Sequence, residues 1–366
     1  MASIAELAKF GQSIWLDFID RNLLANGGLK RLVDAGVTGV TTNPTIFHKA
    51  ITGSADYDAS IVSELNANPN IDEYALFEAL TAADVRSAAD IMRPVFDRTD
   101  GADGYVSIEV APDLAYDAQG TIKSARQLWK RVARPNVMIK VPGTADGVKA
   151  VEQLIADGIN VNVTLLFSVK RYEDVVRAWA EGLSRCNAPR TVASVASFFV
   201  SRVDGKTDKL LEGIPGAAGL LGKTAIGNAK LAYAKFQELM KDPFIATQLA
   251  RGARPQRPLW ASTSSKNPKY RDVLYVESLI GRDTVNTLPP DTLAAFQDHG
   301  IAADTVTSGT VDVQNQMSLL ERHGIDLEGI TRTLETEGVA SFKDSYDKLL
   351  HDLKQKRLVM AKGLAA

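Results

Sequence analysis

Eight short runs of β-type residues, mostly separated by amphipathic helical stretches, constrain the fold of this chain more than any other feature. The runs are Ser13–Ile19, Val37–Thr42, Gly104–Val110, Asn136–Val141, Ile159–Phe167, Thr191–Val200, Pro258–Ser264 and Thr284–Leu288. Between them, stretches such as Thr121–Arg134, Ala145–Asp157 and Val169–Ser184 carry apolar residues three and four apart with charges in the gaps. That is the period of a helix with one buried face. Strands alternating with helices call for a parallel sheet, and eight such units predict an α/β fold of the closed (β/α)8 TIM barrel type. Barrels of this kind run as one domain of roughly 250 residues, and longer with insertions. A single barrel domain over 1–366 is therefore expected, with no Pro/Ser-rich linker to divide it. Ile71–Asp97 reads as one or two long helices, and Asp304–Lys362 as a C-terminal helical extension packing on the barrel and covering its mouth. The glycine-rich segment Gly205–Gly227 reads as an interruption of the unit after the sixth run.

Composition removes several function classes. The net charge is −2, from 42 basic and 44 acidic residues, so no overall field draws the chain to nucleic acid or an anionic membrane. No stretch approaches the 18 or so uninterrupted apolar residues of a membrane span. The opening MASIAELAKFGQSIWLDF lacks the basic and apolar regions of a secretion signal. The one cysteine, Cys186, cannot form an internal disulfide, and a cytoplasmic location is the expectation. His48, His299, His323 and His351 stand far apart and at no ligand spacing from each other or from Cys186. Neither a histidine-based metal site nor a Ser-His-Asp triad is expected. GAAGLLGKT imitates a nucleotide-binding P-loop, but Ala217 stands where the first glycine belongs and Gly216 lies one position too early. No buried strand precedes it, so it reads as a loop leading into a helix over Ala225–Lys241.

The informative residues are ionisable groups inside β-like runs: Asp17 in SIWLDFI, Glu109 in YVSIEVAP and Lys140 in NVMIKVPGT. Burying an unpaired charge is costly, so such placements need partners or a purpose. One such charge alone is ordinarily solvated or held in a structural bridge. Two carboxylates and a lysine near the C-terminal ends of different strands are harder to explain that way, because barrel enzymes draw their catalytic groups from those ends. Burial among Val137, Met138, Ile139 and Val141 disfavours an ammonium at Lys140 and favours a nucleophilic amine. An amine beside carboxylates suits carbonyl chemistry through an imine, the carboxylates moving the protons. Asn43, at the end of the second run, and Asn160, Asn162 and Thr164, alternating in NVNVTLLFS, read equally well as strand-end turns or as site residues.

LDFIDRNLL, GVTGVTTNPTIF, SIEV, MIKVPGT, INVNVTLLFS and SFFVSRVD follow one another in the order found in transaldolases, and WASTSSKNP and VNTLPP resemble the longer branch of that family. The resemblance spans Ser13 to about Lys356. It implies that Lys140 is the Schiff-base lysine, that Asp17 handles the hydroxyl proton during C–C cleavage, and that Glu109 acts through a water held by Thr164. It implies that Asn43 and Asn162 hydrogen-bond the bound three-carbon unit, and that Arg202, Ser197 and Ser262 recognise phosphate. Shorter members carry Ser-x-Arg where this chain reads Ser262-Thr263-Ser264. Lys266 then either supplies the missing charge or is a solvated loop lysine. Phe199 stands where an aldolase subgroup resembles tyrosine, which favours group transfer over release of the three-carbon unit to water. The resemblance implies sugar-phosphate substrates and no cofactor or metal. It also brings two partner expectations: a homodimer, and fusion to or association with glucose-6-phosphate isomerase, as in some long-branch members. The terminal MAKGLAA fits either a natural end or a junction. A binding protein that had lost catalysis would not need Asp17, Glu109 and Lys140 together.

Overall fold

The computed structural model describes residues 4–365. Its centre is a closed barrel of eight parallel strands in sequence order: β1 Gln12–Leu16, β2 Val37–Val40, β3 Tyr105–Glu109, β4 Val137–Pro142, β5 Val161–Leu166, β6 Ser194–Phe199, β7 Arg257–Ala261 and β8 Thr284–Leu288. β8 pairs back onto β1 from Gln12↔Thr284 to Leu16↔Leu288. β4, β5 and β6 are buried at every position, as parallel strands must be when helices cover the outside and side chains fill the inside.

Each expected run overlaps an observed strand, and β8 coincides with its run, but most strands are shorter than expected. β1 ends at Leu16 and β2 at Val40, so Asp17 and Thr41–Asn43 stand just past the ladder. After β2 and β5 the physical reason is helix capping, with polar residues turning out to satisfy the next helix, whereas Asp17 keeps its amide bonded to the Leu288 carbonyl at 2.8 Å. Asn43 accepts from the Ile46 amide at 3.0 Å, opening the Pro44–Thr52 helix, and Ser168 likewise accepts from Arg171 to open Val169–Arg185.

Register brings the charged positions level with one another. Glu109 pairs with Lys140 across β3 and β4, and Lys140 with Asn162 across β4 and β5. β5 then breaks register with β6 between Val163 and Leu166, where Leu165 takes a left-handed φ of 61°. Bulges of this kind near sites re-aim neighbouring side chains, here Thr164.

The additions differ in detail from expectation. The 71–97 stretch is one helix, Glu73–Arg98, whose first turn is capped by Asp72 accepting from Ala75. The C-terminal stretch is two helices, Thr310–Arg322 and Leu327–Ala365, separated by a turn with Gly324 at φ 77°. Gly205–Gly227 interrupts the unit only in its middle, 212–223, which joins two α-helices. Ser201–Leu211 is helical straight through Gly205, because Val203, Thr207 and Leu211 bury one face, and only the short stretch after it is loop. The following helix is Thr224–Leu239, and in the turn before it the Gly222 amide donates to a carboxylate, Asp208, rather than facing an anion site.

The long C-terminal helix packs on the Pro44–Thr52, Glu73–Arg98 and Ser201–Leu211 helices and buries Leu334, Val339, Phe342, Tyr346, Leu349, Leu350 and Leu353. Thr45 donates to Ser345 at 3.0 Å, and His48 Nε2 lies 2.8 Å from Asp352. None of the described helices is long and apolar enough to cross a membrane.

Inside the barrel, Gly39 of β2 lies against the indole of Trp15, and a Cβ there would come within 2.5 Å of the ring. Trp15 is fully buried and tied through Nε1 to Asp103 at 2.7 Å, so it has nowhere to move. Gly39→Ala is expected to lower stability at the upper end of the ~1–3 kcal/mol typical of overpacking, read by denaturant unfolding.

Candidate active site

Lys140 sits near the end of β4 with its side chain 6% exposed. Nζ donates to the Thr42 carbonyl at 2.9 Å and lies 3.4 Å from Glu109 Oε2. The Phe342 ring, carried in by the C-terminal helix, is centred 5.9 Å from Nζ. A cavity of about 640 Å³ opens above it, lined among others by Asp17, Asn43, Thr164, Ser197, Phe199 and Arg202.

Asp17 reaches this cavity from just beyond β1. Thr41 Oγ1 donates to Asp17 Oδ1 at 2.7 Å and lies 2.6 Å from Thr287 Oγ1. Burial pushes the Asp17 carboxyl above its usual range, while the Lys140 charge and the Thr41 hydrogen bond act the other way. The residue is partly buried and lines the cavity. Glu109 is also pushed up, again by burial first, with Lys140 opposing and the Asp17 charge adding to the rise.

Glu109 does not line the main cavity. Its carboxylate borders a separate space of about 10 Å³ with Asn43, Phe47, Phe77 and Tyr346, a volume on the scale of one water. Among the described residues neither Glu109 oxygen accepts a hydrogen bond and Thr164 Oγ1 has no hydrogen-bond partner. Glu109 thus faces the Lys140 charge alone, and Thr164 keeps a hydroxyl unused beside the cavity.

Asn43 spends its carbonyl oxygen on the helix cap and borders the main cavity. Asn162, in contrast, is fully buried and lies outside the cavity lining. Its amide donates to Ser107 Oγ at 3.0 Å, and its oxygen accepts from Ser197 Oγ at 2.7 Å. It holds Ser197, which does face the cavity.

Toward the mouth, Arg202 opens the Ser201–Leu211 helix and stacks over Phe199, the guanidinium 5.2 Å from the ring centroid. Phe199 in turn packs on Phe167 at 5.3 Å. Arg202 has no ion pair or hydrogen bond among the described residues, and burial pushes its pKa down. A largely buried, unpaired guanidinium facing a cavity is a ready anion site. Ser262 is held at φ 55° after β7, within 3.0 Å of Ser201 Oγ. Lys266, exposed and without an ion pair among the described residues, also borders the cavity.

Sequence reading passed over Thr41, Thr287, Lys206, Lys209, Glu337 and Phe342, all of which line the cavity. Thr41 stands two residues before Asn43 in the same TTNPTIF motif. Phe342 carries no local signal, since only the path of the C-terminal helix brings it to Lys140.

The family described as Transaldolase/Fructose-6-phosphate aldolase matches residues 14–353. A protein named Transaldolase from Acidothermus cellulolyticus is 50% identical over 353 residues, covering 94% of each chain. Another from Thiobacillus denitrificans is 45% identical over 94% of this chain and 98% of its own, and one from Saccharopolyspora erythraea 43% over 97% of each. On the barrel, the cavity and these matches, the chain belongs to the transaldolase/fructose-6-phosphate aldolase family.

Proposed function

We propose that this protein is a transaldolase acting on sugar phosphates in the pentose phosphate pathway, in the cytoplasm. It moves a dihydroxyacetone unit from sedoheptulose 7-phosphate to glyceraldehyde 3-phosphate, giving erythrose 4-phosphate and fructose 6-phosphate. The observation that carries the reading is Lys140: a buried amine with Glu109 beside it and Asp17 facing the same cavity, under a mouth bordered by the unpaired Arg202.

Lys140 Nζ adds to the C2 carbonyl of the donor, and the carbinolamine loses water to give an iminium. Glu109, through a water near Thr164, moves the protons of that dehydration. Asp17 accepts the C4 hydroxyl proton, the C3–C4 bond breaks, and its electron pair passes into the enamine as the aldehyde phosphate leaves. The enamine then adds to the incoming aldehyde, the same groups acting in reverse. Asn43 hydrogen-bonds the retained three-carbon unit, with Asn162 acting on it through Ser197. Arg202, Ser262 and Lys266 hold the phosphate.

A second reading is cleavage without transfer, releasing dihydroxyacetone to water. Phe199 argues against it, because a phenyl ring packed on Phe167 and Arg202 offers no hydroxyl to position that water. Comparing dihydroxyacetone release with exchange onto erythrose 4-phosphate separates the two. The central test is borohydride trapping with fructose 6-phosphate, read by peptide mass mapping. A three-carbon adduct on the Lys140 peptide is expected, and an unlabelled folded protein would remove the imine mechanism.

Two further outcomes are expected. Because burial raises both carboxyls, activity should fall on the acid side at a pH above the ordinary carboxylate value of about 4. A pH–rate profile checks this, and Asp17→Asn should remove most of the rate and leave only the part of the limb that Glu109 contributes. Arg202→Ala should raise KM for fructose 6-phosphate by roughly 10- to 100-fold, the loss of a charge-assisted contact of ~1.5–3 kcal/mol. Trapping of unphosphorylated dihydroxyacetone on Lys140 should persist in that variant.

A further inference from the structure

Two carboxylates on the buried side of the Ser201–Leu211 helix do work that the reaction above does not use. Asp204 and Asp208 lie one turn apart, and each bonds in two directions. Asp208 Oδ1 accepts from the Gly222 amide at 3.0 Å, and its Oδ2 from the Tyr270 hydroxyl at 2.7 Å. Asp204 Oδ1 accepts from the Ala225 amide at 2.7 Å, and its Oδ2 from the Tyr275 hydroxyl at 2.9 Å. One oxygen of each acid thus holds the turn at the start of the Thr224–Leu239 helix. The other holds the segment that follows β7.

Two of these three segments, the helix and the segment after β7, border the cleft. The Ser201–Leu211 helix carries Arg202 and Lys209, and the segment after β7 carries Ser262 and Lys266. A second cavity of about 430 Å³ lies between helix and segment and shares Lys209 and Lys266 with the main one. Neither lysine has an ion pair among the described residues, so both are available to an anion. Gly222 is part of the same fit: at φ 69°, a Cβ on it would come within 2.8 Å of the Tyr270 ring.

An apolar contact would join these segments with less desolvation. Burial pushes Asp204 up to about 7, which shows how unfavourable its position is for a charge. What a carboxylate provides that an apolar side chain cannot is a fixed direction and distance to each partner.

We infer that Tyr270, acting through Asp208, is a positioning residue for phosphate recognition: it fixes the segment bearing Lys266 against the helix bearing Arg202 and Lys209, so that the cations converge on one anion. This rests on the phosphorylated-ketose reading above. The Asp204–Tyr275 bond is the second strut of the same brace.

The test compares Tyr270→Phe, Lys266→Ala and the double variant, with fructose 6-phosphate as donor and inorganic phosphate as inhibitor. Tyr270→Phe keeps the ring and removes one hydrogen bond, so the fold is retained, as a thermal melt verifies. KM for the donor is expected to rise about tenfold, with phosphate inhibition weakened by a similar factor and kcat within twofold. In the Lys266→Ala background the same substitution adds nothing, because its effect passes through Lys266. Asp208→Asn made alone, with Tyr270 intact, can still accept from Gly222 and donate to the Tyr270 oxygen, and is expected to keep KM near the wild-type value. An unchanged KM in Tyr270→Phe, a full tenfold effect on top of Lys266→Ala, or a parallel fall in kcat would each overturn the assignment. Trapping of dihydroxyacetone on Lys140 separates the two levels. If it persists while KM is unmoved, the positioning role alone fails. If the unsubstituted protein forms no adduct, the underlying reaction fails and this role with it.

Discussion

Lys140→Ala is expected to lower kcat by roughly four to six orders of magnitude, the scale seen when a covalent nucleophile is removed. Adduct formation with fructose 6-phosphate should disappear with it. The fold should survive, because Nζ makes one hydrogen bond, to the Thr42 carbonyl, and the surrounding β4 positions are apolar. The informative change is in pH dependence. In the intact protein the Lys140 charge opposes the rise that burial imposes on Asp17 and Glu109. Without it both carboxyls are pushed further above their unfolded value of about 4. A carboxyl whose folded value is raised holds a proton that the unfolded chain releases. It therefore contributes stability that is full below about pH 4 and lost as pH rises through the raised value. The variant's melting temperature should accordingly fall more steeply as pH rises above about 4 than that of the intact protein. Parallel profiles would show that the lysine and the two carboxyls do not share one electrostatic environment.

Ending the chain at Asp326 is expected to abolish cooperative folding, not merely to open the cleft. The lost helix buries Leu334, Val339, Phe342, Tyr346, Leu349, Leu350 and Leu353. At ~1.5–3 kcal/mol for each buried side chain, these together amount to on the order of 10–20 kcal/mol as an upper bound. A folded domain holds a net stability of only about 5–15 kcal/mol. The truncation would also uncover Phe77, which packs edge-on against Tyr346 at 5.4 Å, and the Pro44–Thr52 helix. Circular dichroism melting should show a broad or absent transition. A truncated chain that melts like the full one would reduce this helix to a cover over the site. Phe342→Ala is the milder version, expected to cost about 3 kcal/mol, the low end for Phe because the ring borders the cavity rather than a closed core.

What the sequence determined by itself was whatever local pattern encodes. Apolar spacing of two and of three to four residues specifies strand and helix from neighbours in the chain, so eight β/α units and their order were legible. Charges among apolar residues are equally local, which is why Asp17, Glu109 and Lys140 stood out before any coordinates. Strand ends were not, because Thr41, Asn43 and Ser168 choose between the ladder and the next helix, and that choice depends on what covers them. The register of parallel strands and the path of distant helices are set by packing across the whole barrel. Only the tertiary structure could therefore level Glu109, Lys140 and Asn162 on three strands, sink Asn162 behind Ser197, and bring Phe342 against Lys140. The double bonding of Asp204 and Asp208 is of the same kind: two acids on a helix read as a solvated face until the segments after β6 and β7 fold onto them.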